Sequence, residues 1–143
     1  MKTDLAKILS VSGQHGLYRY LAQARSGAIA ESLSEGKRTV FDAHSKISTL
    51  ADIAIFTSEG EVRLAEVFTA MKKTADEGTP VPSSKASSDE IKAFFVKAVP
   101  EYDEDRFYVS HMKKVLDWYS ELEKYASFDF VTDEERENGV EEA

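Results

Sequence analysis

The chain contains no cysteine, so disulfide bonds, thiolate catalysis and cysteine-ligated zinc are all excluded. It also lacks any apolar run near the roughly 18 residues that indicate a membrane-spanning helix. At the N-terminus, Asp4 and Lys7 interrupt the sequence before an apolar core of signal-peptide length develops. These absences predict a soluble, cytoplasmic protein with no membrane partner.

Motifs that carry recognisable chemistry are also missing. The three histidines, His15, His44 and His111, are far apart and form no His-x-x-x-His or His-Glu pair, and there is no Gly-x-Ser-x-Gly elbow. The turn at residues 13–16 lacks the Gly-Lys-Ser/Thr ending of a phosphate-binding loop, so we interpret His15 as a solvated turn residue. Scattered carboxylates could still converge in the fold. The sequence nevertheless predicts no enzymatic activity, no cofactor and no metal site.

An acidic triplet at residues 103–105 invites comparison with a calcium-binding loop. The EF-hand loop needs a glycine at its sixth position and a glutamate at its twelfth. Counted from the first residue of the triplet, those positions hold Tyr108 and Lys114. We therefore interpret the segment as a solvated acidic loop with Arg106 as a local partner.

Negative charge dominates the composition and is unevenly distributed. The formal net charge is -8 at pH 7. Residues 1–57 carry seven Lys or Arg against five Asp or Glu, whereas residues 58–143 carry 11 against 21. Contacts with nucleic-acid phosphates need Lys and Arg, so the acidic composition argues against a nucleic acid as the partner. The slightly basic N-terminal part keeps nucleic acid as an alternative.

The densest structural signal is the stretch at residues 16–42. Three strand-like runs, at residues 17–24, 28–34 and 37–42, are separated by Gly-containing turns, which predicts an antiparallel meander. The β-branched run at residues 53–57 adds a buried strand. We predict an α+β protein with a small SH3-like antiparallel barrel at its N-terminus. An open meander covered by helices is the alternative.

The hydrophobic period then changes from strand to helix. Ser58 and Glu61 match a capping box before an amphipathic helix that ends near residue 73, and Ser87 with Glu90 match another. A third helix is predicted from Ser110 to about residue 126. The predicted organisation is a β-rich small-barrel domain with a closing helix, a linker, a helical domain and an acidic disordered tail, at residues 1–73, 74–88, 89–128 and 129–143.

Aromatic and basic residues alternate near the start of the first predicted strand. Tyrosines with interleaved arginines can form a stacking platform for nucleic-acid bases. The alternative, which we favour, is that these tyrosines pack in the core and keep their hydroxyl groups in water. The candidate binding residues are Tyr18, Arg19, Tyr20, Arg25, Lys37 and Arg38.

Four runs resemble a bacterial family from Bacteroidetes whose function is uncharacterised: DLAKILSVSGQHGLYRY, ESLSEGKR, ISTLADIAIFT and YDEDRFYVSHMKKVLDWY. The resemblance covers roughly residues 4–125. It implies a β-rich N-terminal domain, a smaller helical C-terminal domain and a bacterial cytoplasmic setting. It implies no catalytic or binding residue.

The functional expectation is a non-catalytic protein-interaction or adaptor module. A small β-domain presents strand edges that can accept a peptide as an added strand. An unidentified protein is the expected partner, and a nucleic-acid-binding regulator that uses the basic residues is the alternative. The last helix has a wide apolar face that a second subunit could cover, so a homo-oligomer stays an alternative.

Overall fold

A computed structural model of the chain describes residues 3–14, 16–42 and 45–131. The chain divides into two compact units. Unit 1 contains Met1–Ile53 and Glu121–Ala143, and unit 2 contains Ala54–Ser120. Within the described ranges, no helix is long and apolar enough to cross a membrane. The fold is α+β, as the sequence predicts.

Unit 1 is built on a five-stranded antiparallel sheet. In chain order its strands are β1 (Ile8–Val11), β2 (Tyr18–Ala24), β3 (Gly27–Ser32), β4 (Arg38–Asp42) and β5 (Ile47–Thr49). They lie side by side in the order β4-β3-β2-β1-β5. Short 3-10 turns precede β1 at Leu5–Lys7 and follow β5 at Leu50–Asp52.

The sheet is open, which confirms the meander and not the closed SH3-like barrel. Over the described residues, β5 pairs with β1 at one edge and β4 pairs with β3 at the other. Closing a barrel would require β5 to bridge back to β4. Among the described residues no such pairing exists, and β5 pairs with β1 alone.

One tight turn depends on a glycine. The hairpin between β2 and β3 has a two-residue loop, Arg25-Ser26, because Ala24 pairs with Gly27. A side chain at Gly27 would place its Cβ 1.7 Å from the carbonyl oxygen of Phe41 on β4. Only glycine lets the two backbones approach so closely.

The C-terminal segment of the chain completes unit 1. The Thr3 amide donates to the Asp129 carbonyl at 2.8 Å, and the Val131 amide donates to the Thr3 carbonyl at 3.0 Å. The Ser127 amide also donates to Oγ1 of Thr3, which is 2 % exposed. Residues 129–131, predicted as the start of the acidic tail, are therefore bonded to the N-terminus. Residues 132–143 lie outside the described ranges.

Unit 2 begins with a hairpin of β6 (Ala54–Thr57) and β7 (Gly60–Arg63) and continues into three helices. These are α1 (Leu64–Asp76), α2 (Ser88–Ala98) and α3 (Val109–Tyr125), the last of which ends in unit 1. The apolar stripes predicted for the helices are buried. The buried residues of α1 and α2 include Leu64, Val67, Phe68, Met71, Ile91, Phe94 and Phe95.

The predicted cap at Ser58 is wrong, because that segment forms a turn and a strand. Gly60 has a φ of +119°, which suits the hairpin turn, and the Thr57 hydroxyl donates to the Gly60 carbonyl at 2.7 Å. Ser58 instead bonds to Glu101, through its amide to the carbonyl at 2.8 Å and through its hydroxyl to the carboxylate at 2.7 Å. Helix α1 consequently starts at Leu64. The predicted start of the last helix at Ser110 lies one residue inside α3.

The segment predicted as an interdomain linker lies inside unit 2. It joins α1 to α2, and these two helices contact each other. The Ser84 hydroxyl donates to the Asp117 carboxylate of α3 at 2.6 Å, which ties the segment down. The division between units falls instead after Ile53. Pro-, Ser- and Gly-rich composition indicates extended backbone, which suits a loop between packed helices as well as a linker.

Candidate functional site

The register of the sheet assigns each candidate residue to a face, because directly paired residues in antiparallel strands share one side. Tyr18 lies opposite Leu9, and Tyr20 lies opposite Ala30. Both tyrosines are half-buried against an apolar cluster formed by Leu9, Val11, Ala30 and Phe41. The Tyr18 ring meets Phe41 edge-to-face at 4.9 Å. The tyrosines therefore pack against the core, which is the alternative that we favoured from the sequence.

The two arginines of the candidate platform lie on the other side of the sheet. Arg19 pairs with Ile8 and with Glu31, and Glu31 pairs with Arg38. This row is one residue out of phase with Tyr18 and Tyr20, so its side chains point to the opposite face. Arg38 Nε lies 3.9 Å from a carboxylate oxygen of Glu31, which partly neutralises the row.

The last two candidates are separated along β3. Arg25 is exposed in the β2–β3 turn, whereas Lys37 precedes β4 at the other end of β3. Six residues of strand span about 16 Å. Lys37 Nζ lies 3.4 Å from the Glu35 carboxylate. The six candidates are therefore distributed over two faces and two ends of the sheet, and they form no single basic surface.

His15 and His44 lie outside the described residues. The third histidine, His111, accepts a hydrogen bond at Nδ1 from the Tyr108 amide at 3.3 Å, next to the start of α3. Among the described residues, no group of three or more Cys, His, Asp or Glu side chains is arranged to hold a metal ion.

The outer edge of the sheet at β4 is the first surface suited to binding. The Ser32 amide donates to the Lys37 carbonyl at 2.9 Å. Because bonded positions alternate along an antiparallel ladder, the backbone groups of Arg38, Val40 and Asp42 point away from β3. We call these three residues the β4 edge. In the described part of the chain, no further strand pairs with it.

An apolar row leads to this edge across the face that carries Arg19 and Arg38. Val40 pairs with Ile29, and Ile29 pairs with Ala22. Ile29 is half-buried, Ala22 is exposed, and Val40 is 50 % exposed. An apolar residue so exposed at the centre of an edge strand is unusual, since natural edges are commonly protected by charge or proline.

A groove of about 440 Å³ in unit 2 is the second surface suited to binding. We call it the aromatic groove. It is lined by Lys92, Tyr102, Glu104, Asp105, Phe107, Tyr108, Val109 and Met112. Phe107 and Met112 are buried, whereas Tyr108 is exposed, so the lining runs from the core of unit 2 to solvent.

The loop that forms the groove is fixed to the β6–β7 hairpin. The Asp103 amide donates to the Phe56 carbonyl at 2.8 Å, and Tyr102 forms an antiparallel bridge with Thr57. Arg106 pairs with Asp103 at 3.7 Å and lies 5.0 Å from the centre of the Phe56 ring. Burial, and secondarily the charge of Glu104, raises the pKa of Tyr102.

The sequence predicted Arg106 as a local partner in this loop and missed the groove. The available signal was the acidic run at residues 103–105, which has Tyr102 before it and Phe107 and Tyr108 after it. That pattern has neither a helical nor a strand period. Its significance arises only when α2 and the start of α3 supply the rest of the lining.

Comparison with known proteins finds two family models and a solved structure that resemble the chain. Residues 5–50 match one domain of unknown function, DUF5606, and residues 53–122 match a second, DUF6852. A solution NMR structure of a protein from Bacteroides vulgatus, determined by a structural genomics consortium, is 41 % identical. The alignment covers 82 % of this chain and 84 % of that one, with a TM-score of 0.66. The chain belongs to this uncharacterised Bacteroidetes family.

Membership of the family confirms the resemblance drawn from the sequence runs. The two family-model matches are separated by residues 51–52, close to the division of the structure after Ile53. Residues 123–131, which return to unit 1, lie beyond both matches. No curated protein matches the chain.

Proposed function

We propose that the protein is a non-catalytic protein-interaction module of the bacterial cytoplasm, an adaptor that receives an extended peptide at the β4 edge. The observation that carries the proposal is the outward backbone of Val40 at the end of an open sheet. A peptide that adds there gains main-chain hydrogen bonds, and alternate side chains meet the Ala22–Ile29–Val40 row.

Charge supports a peptide over a nucleic acid as the partner. The two candidate tyrosines and the two sheet arginines lie on opposite faces, so a base on a tyrosine could not have its phosphate at Arg19 or Arg38. Glu31 and Glu35 further reduce the positive charge near Arg38 and Lys37.

The test is a pair of substitutions at one position. Val40→Pro removes an outward amide without removing a bond of the β3–β4 ladder, whereas Val40→Thr keeps the amide and the β-branched shape. Partners are captured on the immobilised full chain, identified, and measured again as purified proteins. We expect binding to be lost in Val40→Pro and kept within a few-fold in Val40→Thr. Equal affinities for both variants, each shown to be folded by circular dichroism, would contradict the proposal.

A salt series distinguishes the alternative partner. Fluorescence anisotropy with single-stranded RNA and duplex DNA should show no tight binding at low salt. Tight binding that weakens steeply with salt and disappears in an Arg19→Ala, Arg38→Ala double variant would instead favour a nucleic-acid regulator.

Sedimentation of the chain alone checks whether a second copy pairs at the β4 edge, in which case Val40→Pro would dissociate the dimer.

A further inference from the structure

We propose that the aromatic groove of unit 2 binds an organic cation, an alkylated ammonium group, which its aromatic rings enclose and its two carboxylates attract. The site is independent of the β4 edge. All of its residues belong to unit 2, whereas β4 belongs to unit 1.

The aromatic lining supplies the first attraction. Tyr102, Phe107 and Tyr108 line the groove, and the face of an aromatic ring attracts a cation within about 6 Å of its centre. Phe107 is held in place by edge-to-face contacts, with Phe95 at 5.3 Å and with Tyr102 at 5.8 Å. Caged methylammonium groups are bound elsewhere by sets of rings of this kind.

The negative charge of the lining supplies the second attraction for a cation. Within the described residues, the side chains of Glu104 and Asp105 form no ion pair, because Arg106 is engaged with Asp103 and Phe56. Lys92 is the opposing charge, but it is exposed on α2 and its ammonium group can turn to solvent. The two carboxylates therefore leave the groove attractive to a cation. Burial raises the pKa of Tyr102, and the charge of Glu104 adds to the effect.

Size and rigidity suit a small ligand. A volume of about 440 Å³ lies within the range of about 300–1,000 Å³ that small-molecule sites occupy. The loop is held by the Phe56–Asp103 and Ser58–Glu101 backbone bonds, and the Asp105 amide donates to Asp103 Oδ1 at 2.9 Å. Little backbone conformational freedom is therefore lost on binding, which reduces the entropic cost of binding.

The experiment compares a cation with its neutral counterpart. Choline and 3,3-dimethylbutan-1-ol have the same shape and differ in the charged nitrogen. We expect choline to produce saturable shifts in the backbone amide signals of Tyr102–Met112 in the isotope-labelled full chain, at low salt. The neutral alcohol should produce none. Equal binding of both compounds, or no saturable shift with any cationic probe, would overturn the proposal.

Matched variants locate the site. Glu104→Gln with Asp105→Asn removes two charges from the groove, and we expect choline to bind about tenfold more weakly. Glu66→Gln with Glu77→Gln removes two exposed charges at the two ends of α1, which does not line the groove, and should bind like the wild type. Equal weakening in both pairs would show a general charge effect and would also overturn the site.

A second probe identifies the source of the cation. A peptide that carries Nε-trimethyllysine presents the same group on a protein side chain. Saturation by the free cation indicates a small-molecule ligand, and saturation only by the peptide indicates a partner protein. Either result supports the site, provided that the groove variant weakens it.

Discussion

At the scale of single residues, Gly27 leaves less room for a side chain than any other glycine in the described residues. The backbone of β4 approaches it so closely that the nearest atom to an added Cβ would be a carbonyl oxygen. That atom belongs to a sheet ladder and cannot move without breaking the β3–β4 pairing.

We predict that Gly27→Ala destabilises unit 1 by about 3 kcal/mol or more, because the new methyl group must separate two paired strands. Hydrogen exchange of the β2–β4 amides measures the loss. The matched variant is Gly36→Ala, whose φ is also positive but whose added Cβ meets no atom within 4 Å. It should cost only about 1 kcal/mol. Similar losses in both variants would contradict the steric explanation.

Tyr102 gives a prediction about pH. Its pKa is raised in the folded protein, so above about pH 10 the unfolded chain loses this proton before the folded protein does. The stability that Tyr102 adds relative to Tyr102→Phe should be constant below that pH and decline as the pH rises through the raised value.

Urea unfolding at a series of alkaline pH values, followed by the fluorescence of the single tryptophan, Trp118, checks this in unit 2. Glu104→Gln removes the secondary cause of the shift and should lower the pH at which the decline ends. A stability difference that stays constant through the alkaline range would refute the assignment.

At the scale of elements, helix α2 starts as its sequence specifies. The Ser87 hydroxyl accepts the Glu90 amide at 3.2 Å, and two acidic residues occupy the first turn. The cap and the helix dipole therefore act together at this end.

Ser87→Ala should destabilise unit 2 by about 1 kcal/mol, because an amide at the start of α2 loses its acceptor. Trp118 fluorescence during urea unfolding measures the change. Ser88→Ala, one position later and exposed, removes the same atom from a residue with no capping bond and should stay within about 0.5 kcal/mol. If the two variants lose equal stability, the cap contributes nothing specific.

Two serines with the same local spacing show how far sequence can predict these elements. The pattern at Ser87 forms a helix cap and the pattern at Ser58 does not, because Ser58 bonds to Glu101, 43 residues away. Spacing records local preferences, and a long-range hydrogen bond can override them. The meander and the amphipathic helices were predictable because their hydrophobic periods are local.

The candidate site was predictable only in part. Alternation along β2 separates Tyr18 and Tyr20 from Arg19, and this much can be read from the sequence. The position of Arg38 opposite Glu31 depends on the register between β3 and β4, and the aromatic groove depends on packing between α2 and a distant loop. Neither relation has a sequence period that could reveal it.

At the scale of the whole molecule, the chain leaves unit 1 after Ile53 and returns to it at Glu121. The returning segment bonds to two early parts of the chain. Glu121 Oε1 accepts the Leu17 amide at 2.9 Å, and residues 127–131 bond to Thr3.

We predict that deletion of residues 127–143 lowers the stability of unit 1 and leaves unit 2 nearly unchanged. The deletion removes the partners of Thr3, whose buried amide, carbonyl and hydroxyl would each lose a bond at a cost of about 1 kcal/mol or more. Hydrogen exchange should accelerate in β1 and β5 more than in α1 and α2. Deletion of residues 132–143 alone keeps these bonds and is the control. Equal acceleration in both units would contradict a role confined to unit 1.

The return of the chain to Thr3 also sets an order of events on the ribosome. Unit 2 is one continuous stretch, so all of its residues are synthesised before the last part of unit 1 exists. At about 5–20 residues per second, the intervening stretch Ala54–Ser120 takes about 3–13 s to translate. Throughout that time Thr3 lacks its partners, and unit 1 is completed last although its sheet is synthesised before unit 2.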